Sequence, residues 1–212
     1  MKILAISGSL RTASNNTALL RAVARLAPAD ISVELYSDLG NLPLFNPDIE
    51  ATDPPVVASL RAQLLAADAV LIASPEYAHG VTGALKNALD WMVGCEAFVN
   101  KPVALLNASP RAVHAQASLK EIITVMSALI VVKASITVPM PGSSHLDEAG
   151  MVTNPGISKA LREALQALQT ATVQFRTGGA SLSATTINQH AQQIASADTV
   201  PHGVAPSAEF QH

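Results

Sequence analysis

Charged residues make up only 14% of the 212 residues, aromatic residues 3%, and there is a single cysteine. Lone Cys95 cannot close an internal disulfide, and Met1 runs straight into an apolar strand without a basic and apolar leader, so a cytoplasmic protein is expected. No apolar run approaches the ~18 residues that a membrane span needs, which argues against a membrane partner. The net charge is -3 and the basic residues are scattered, so there is no electrostatic footprint for nucleic acid. His and acidic residues show no metal-ligand spacing such as H-E-x-x-H, and no metal is assigned. Against these shortages stands a hydrophobic content of 49%. Most of the chain must therefore fold, into one main domain.

What is present alternates short apolar runs with longer stretches at helical spacing, the pattern of parallel strands joined by crossover helices. The expected strands are "KILAIS", "ISVELYS", "DAVLIAS", "KPVALLNAS" and "ALIVVKASITVP". Between them, Leu19, Leu20, Val23 and Leu26 mark one helix, and Val56, Val57, Leu60, Leu64 and Leu65 a second. Leu85, Ala88, Leu89 and Met92 mark a third, and Leu119, Ile122, Ile123 and Met126 a fourth. A last helix starts at Asn154 and Pro155, with Ile157, Leu161, Leu165 and Leu168 on one face. Residues 37–55 read as a long loop. The expected fold is α/β: a doubly wound, five-stranded parallel sheet in the order 2-1-3-4-5 with helices on both faces.

Directly behind the first strand comes "SGSLRTASNN". A strand-to-helix turn gathers free N–H groups at a positive dipole end and favours an anion. Ser9, Ser14, Asn16 and Thr17 add side-chain donors, and the Arg11 guanidinium suits a phosphate. The spacing lacks both G-x-x-x-x-G-K-[ST] and G-x-G-x-x-G, which leaves a monophosphate as the best fit. Helix capping by Ser and Asn, with a turn at Gly8, is the plainer alternative. The third strand is followed by "SPEYAHGVTGALKNALDW", and in the 2-1-3-4-5 order strands one and three are neighbours, so both loops rise at one crevice. Pro75, Tyr77 and Gly80 offer a wall that a flat ring can approach, with backbone donors around Ala78 to Gly80.

These two segments resemble the signatures of the NADPH-dependent FMN reductase family of flavodoxin-like quinone and azo-compound reductases. "GSLRTASNN" matches G-S-x-R-x-x-S-x-N, and "PEYAHGVTGALKNALDW" matches P-E-Y-x-x-x-x-x-G-x-L-K-N-A-x-D-W, within a resemblance covering roughly residues 1–175. It implies that Ser9, Arg11, Ser14, Asn16 and Thr17 hold the phosphate of FMN. Pro75, Glu76, Tyr77, Ala78, His79 and Gly80 are then implied to line its isoalloxazine and ribityl chain. Where many relatives have Asn this chain has Ala78, so only the backbone contact carries over. His79 faces either flavin or solvent.

Lys86, Asn87, Asp90 and Trp91 belong to the same signature and read as structural, Trp91 in core or interface and Lys86 with Asp90 as a helix-face pair. A third loop, "NASPRAVHAQ", should reach the same edge, and it adds Ser109 and Arg111 to the candidate cofactor contacts. Arg111 would meet a flavin carbonyl or the phosphate of a nicotinamide nucleotide, with a surface ion pair as the alternative. The activity implied is transfer of a hydride from NADPH or NADH to FMN and on to free flavin, a quinone or a related small-molecule acceptor. No catalytic side chain is required, because the cofactor carries the chemistry. A flavodoxin-type electron carrier is the alternative. A homodimer or homotetramer is expected, and residues 176–212 form a polar tail, either disordered or packed on a partner subunit.

Overall fold

The computed structural model describes residues 1–138 and 146–178. Its elements are β1 (Lys2–Ser7), α1 (Asn15–Leu26), β2 (Ser32–Leu35), α2 (Pro47–Glu50), α3 (Pro55–Ala66), β3 (Ala69–Ala73), β4 (Glu76–Tyr77), β5 (Gly80–Val81), α4 (Gly83–Met92), β6 (Pro102–Leu106), α5 (Val113–Val125), β7 (Leu129–Ile130), α6 (Glu148–Thr153) and α7 (Pro155–Arg176). Five strands form a parallel sheet in the order β2-β1-β3-β6-β7, which is the expected 2-1-3-4-5 arrangement. Two units divide the chain after Val173, and Met1–Val173 is the one that carries the sheet. Within the second, the description reaches residue 178, and the expectation for the polar tail lies outside the described residues beyond that point.

Successive side chains of a strand point to opposite faces, so a strand buried on both sides reads as an unbroken apolar run. In β1, Ile3 and Ala5 join the core shared with Leu19, Leu20, Leu161 and Leu165 of α1 and α7. Leu4 and Ile6 join the opposite core, with Leu60 and Leu64 of α3, Leu85 and Leu89 of α4, and Leu119 and Ile123 of α5. Burial of each such leucine contributes about 1.5–3 kcal/mol, and these two layers hold the sheet edge that carries the loops. Leu65, one of the apolar residues that mark α3 in the sequence, is exposed.

Three local readings need correction. The run expected as one long fifth strand pairs only at Leu129–Ile130, turns through a 3-10 helix at Val132–Ala134, and returns as a single bridge between Asn107 and Thr137. The stretch read as a loop after β3 contains the antiparallel hairpin β4–β5. The long loop at 37–55 contains α2, where the Asn46 side chain accepts from Asp48 N and proline opens the helix.

Candidate functional site

Ser7 pairs with Ala73, and Ala73 pairs with Leu106, so β1, β3 and β6 end side by side. The segments that follow them, here loops 1, 2 and 3, therefore leave from one level of one sheet edge. Loops 1 and 2 are bonded together. Gly8 N donates to Ala73 O at 2.8 Å, and Thr82 Oγ1 donates to Gly8 O at 2.6 Å while accepting from Leu85 N at 3.4 Å. Thr82, only 5% exposed, is thus both the cap of α4 and the tie between the loops. Its signal in the sequence was its place directly ahead of "GALKNALDW", where threonine suits an N-cap.

In loop 1, the Ser14 side chain accepts from Thr17 N at 3.4 Å and caps α1. The hydroxyls of Ser7 and Thr17 lie 2.8 Å apart, and Ser9 Oγ accepts from Arg11 N at 3.3 Å. The capping role considered for these residues is therefore real for Ser14. Asn16 differs: it is 7% exposed, and its Oδ1 is buried without a hydrogen-bond partner among the described residues. An unpaired buried acceptor costs about 1–3 kcal/mol, so this atom calls for a donor. The Arg11 side chain is exposed and enters none of the ion pairs among the described residues.

Loop 2 is built differently from a flat wall. Tyr77 and Gly80 pair across a two-residue turn, with Ala78 at φ 48 and His79 at φ 58. Both angles are positive, as a type I′ turn requires. Glu76 Oε2 accepts from Ala115 N at 2.9 Å, in the first turn of α5. That helix has no side-chain cap from its own N-cap residue, Ala112, so the hairpin supplies the acceptor and a favourable charge. His79 is exposed and stacks on His114 of α5, with ring centroids 4.2 Å apart and planes at 18°.

Loop 3 is shaped by Asn107, whose Oδ1 accepts from Ser109 N at 2.9 Å, and by Ser109 Oγ, which accepts from Arg111 N at 3.3 Å. Buried Asn107 carried no signal in the sequence beyond its place at a strand end.

The three loops enclose a crevice of about 370 Å3. Asn16, Pro75, Glu76, Ser109 and Arg111 of the expected residues line it together, joined by Asn15, Ser74 and Asn107. Ser9, Arg11 and Thr17 face a second cavity along α1 and β2, and Ser14 borders a third. Tyr77, Ala78, His79 and Gly80 do not line the crevice. Burial, and then the Asp38 charge, push the Tyr36 phenol at the second cavity up to about 12.

The helix-borne part of the signature is structural. Asn87 Oδ1 accepts from Phe45 N at 2.7 Å, and Asn87 Nδ2 and Trp91 Nε1 donate to Pro43 O at 2.9 and 2.8 Å. Trp91 is 2% exposed and meets the Phe45 ring edge-on at 5.1 Å. Lys86 pairs with Asp90 one turn later.

Among the described residues no helix is long and apolar enough to cross a membrane, and no group of three or more His, Cys, Asp or Glu could hold a metal ion. Residues 1–141 match the family model described as NADPH-dependent FMN reductase. The chain is 35% identical over 175 residues to an NAD(P)H-dependent FMN reductase of Pseudomonas aeruginosa, a match covering 80% of this chain and 94% of that protein. It is 30% identical over 140 residues to a quinone reductase of Escherichia coli, covering 63% of this chain and 74% of the relative. The structure of FerB, a flavoenzyme NAD(P)H:(acceptor) oxidoreductase from Paracoccus denitrificans, superimposes with a TM-score of 0.58 at 27% identity, over 82% of this chain and 94% of that one. A flavodoxin-like sheet with three loops at one level, both loop signatures and these matches place the chain in the NADPH-dependent FMN reductase family, as an FMN-dependent NAD(P)H oxidoreductase.

Proposed function

We propose that the three-loop crevice binds FMN, and that the enzyme passes reducing equivalents from a nicotinamide nucleotide to a quinone, free flavin or a related small acceptor. The observation that carries the assignment of the site is Asn16 Oδ1, a buried acceptor without a donor at the wall of the crevice, which a ribityl hydroxyl would satisfy. The residues present fit the cofactor. The N-terminus of α1 favours its phosphate, with Asn15 and Asn16 at the crevice and Ser9, Arg11 and Thr17 on the neighbouring cavity that the same loop walls. Pro75 and Glu76 offer one side to the flat ring system, with the turn Tyr77 to Gly80 beyond them, and Ser109 and Arg111 offer the other.

Bound FMN supplies the two-electron chemistry. The chain's part is to hold and orient it. Glu76 fixes the hairpin to α5, Thr82 fixes loop 2 to loop 1, and Arg111 brings a cation to the crevice. A homodimer or homotetramer in the cytoplasm completes this reading. It draws on the family habit for the assembly and on lone Cys95 for the compartment.

Fluorescence-quenching titration tests the site. Arg11→Ala should weaken FMN binding by about 1.5–3 kcal/mol, the size of a charge-assisted hydrogen bond, and unchanged affinity would remove Arg11 from the phosphate site. Anaerobic mixing of the FMN-loaded protein with NADPH tests the activity. Rapid bleaching of the flavin band is expected, whereas a persistent yellow protein would indicate an electron carrier without nicotinamide turnover.

A further inference from the structure

The hairpin β4–β5 and the start of α5 meet at the mouth of the crevice. Pro75 and Glu76 line the crevice and lead into the hairpin, while Arg111 and Ala112 line it and lead into α5. Glu76 Oε2, accepting from Ala115 N, pins one segment to the other. Just past these wall residues the imidazoles of His79 and His114 stack, with centroids 4.2 Å apart.

Both histidines are exposed, and neither ring enters a hydrogen bond or an ion pair among the described residues. A neutral imidazole holds one N–H donor and one acceptor nitrogen, so the pair keeps its full capacity for an incoming ligand. Tyr77 and Val113, the neighbours along the two segments, are 61% and 57% exposed and add open apolar surface to this rim. Glu76, the carboxylate of the crevice wall, is engaged by the first turn of α5, whereas Arg111, its cation, enters none of the ion pairs among the described residues. An anion arriving at the mouth therefore meets N–H donors in the field of an unpaired guanidinium. The turn supports the same reading. Ala78 and His79 sit at φ 48 and 58, where asparagine or glycine is the less strained occupant, so the histidine is explained by what its ring does at the mouth.

Resting on the flavin reading above, we propose that the His79–His114 pair is the acceptor subsite, and that it selects flat quinones carrying an ionised oxygen substituent, hydroxyquinone anions above all. The acceptor ring lies against the imidazole stack, and its anionic oxygen accepts from an imidazole N–H. A charge-assisted hydrogen bond is roughly twice as strong as a neutral one, so a neutral quinone of the same shape gains less. In turnover the nicotinamide nucleotide supplies a hydride, solvent supplies one proton, and the quinone leaves as its hydroquinone. The two histidines position the acceptor and exchange no electrons.

The test compares 2-hydroxy-1,4-naphthoquinone, ionised at neutral pH, with its neutral 2-methoxy analogue. Each is titrated calorimetrically into the oxidised, FMN-loaded protein without nicotinamide nucleotide, so that binding is read without turnover, and KM for each is then measured with NADPH. The proteins are the wild type, His114→Phe, which keeps a flat ring beside His79 and drops its nitrogens, and His114→Gln, which keeps a donor and drops the ring. Thermal melting checks that both variants are folded. The wild type should bind the hydroxyquinone at least about tenfold more tightly than the methoxy compound, and KM should follow the same order. His114→Phe should bring the two affinities within about twofold of each other while FMN affinity holds, and His114→Gln should keep part of the preference. Equal affinity of the wild type for the two quinones overturns the inference, as does full preference in His114→Phe. Loss of FMN affinity in His114→Phe also overturns it, by making the stack part of the flavin site. The imidazole proton and nitrogen NMR signals, followed with and without FMN, separate this inference from the flavin reading. The hydroxyquinone should shift the signals of both histidines and the methoxy compound neither. A protein that takes up no FMN and still shows these shifts refutes the flavin site and leaves the rim assigned, whereas a protein that binds FMN and shows none refutes the acceptor subsite alone.

Discussion

At Gly8 the backbone of loop 1 passes so close to loop 2 that a β-carbon built there would lie 2.4 Å from Ser74 Oγ and 2.8 Å from Ser74 Cβ. Leu85 Cδ2, at 3.2 Å, closes the remaining side. The glycine was legible as part of a phosphate-loop signature, but its reason was not, because the crowding comes from a residue more than sixty positions away. Gly8→Ala should separate the loops, destabilise the protein by about 1–3 kcal/mol in urea unfolding, and weaken FMN binding in the same preparation. Wild-type values in both measurements would show that loop 2 yields without cost. The role of Glu76 was likewise half legible. Its place beside the proposed flavin site is implied by the signature, whereas its bond to Ala115 N depends on where α5 begins.

The hairpin β4–β5 went unread in the sequence because its turn uses the wrong residues. A two-residue type I′ turn is announced by Asn-Gly or Asp-Gly, and here Ala78 and His79 occupy the two positive-φ positions. The left-handed region costs a non-glycine residue about 1–2 kcal/mol, which the Glu76 cap and the stack of His79 on His114 offset. Ala78→Gly should therefore stabilise the protein by about 1 kcal/mol despite the added backbone freedom of the unfolded chain, read as a higher urea midpoint with an unchanged slope. The fifth strand failed for the opposite reason. "ALIVVKASITVP" has strong strand composition, but as an edge segment it can leave the ladder when other groups satisfy its neighbour. Ser135 Oγ accepts from Leu105 N at 3.0 Å, and the chain turns outward with Val132 72% exposed. Composition reports a preference for strand and cannot register one hydroxyl replacing a ladder carbonyl.

The sheet order was legible throughout, because apolar runs of strand length alternate with helical periodicity and few right-handed topologies accommodate five of them. The convergence of the loops followed from that order, while the sorting of loop 1 residues between two cavities required coordinates. A ligand held by three loops anchored in both core layers should stabilise the molecule as a unit. FMN at about one hundred times its Kd should add about 2.7 kcal/mol and raise the melting temperature by roughly 5–10 °C, followed by differential scanning calorimetry. A melting temperature indifferent to FMN would mean that the unit opens without releasing it. The pairing of Ser7 with Ala73 and of Ala73 with Leu106 has an evolutionary corollary. Lengthening any one connector alters the chamber's rim and leaves the ladders undisturbed, so acceptor preference can drift among descendants by insertion alone, while a deletion inside β3 would invert its inward and outward faces and forfeit the whole architecture.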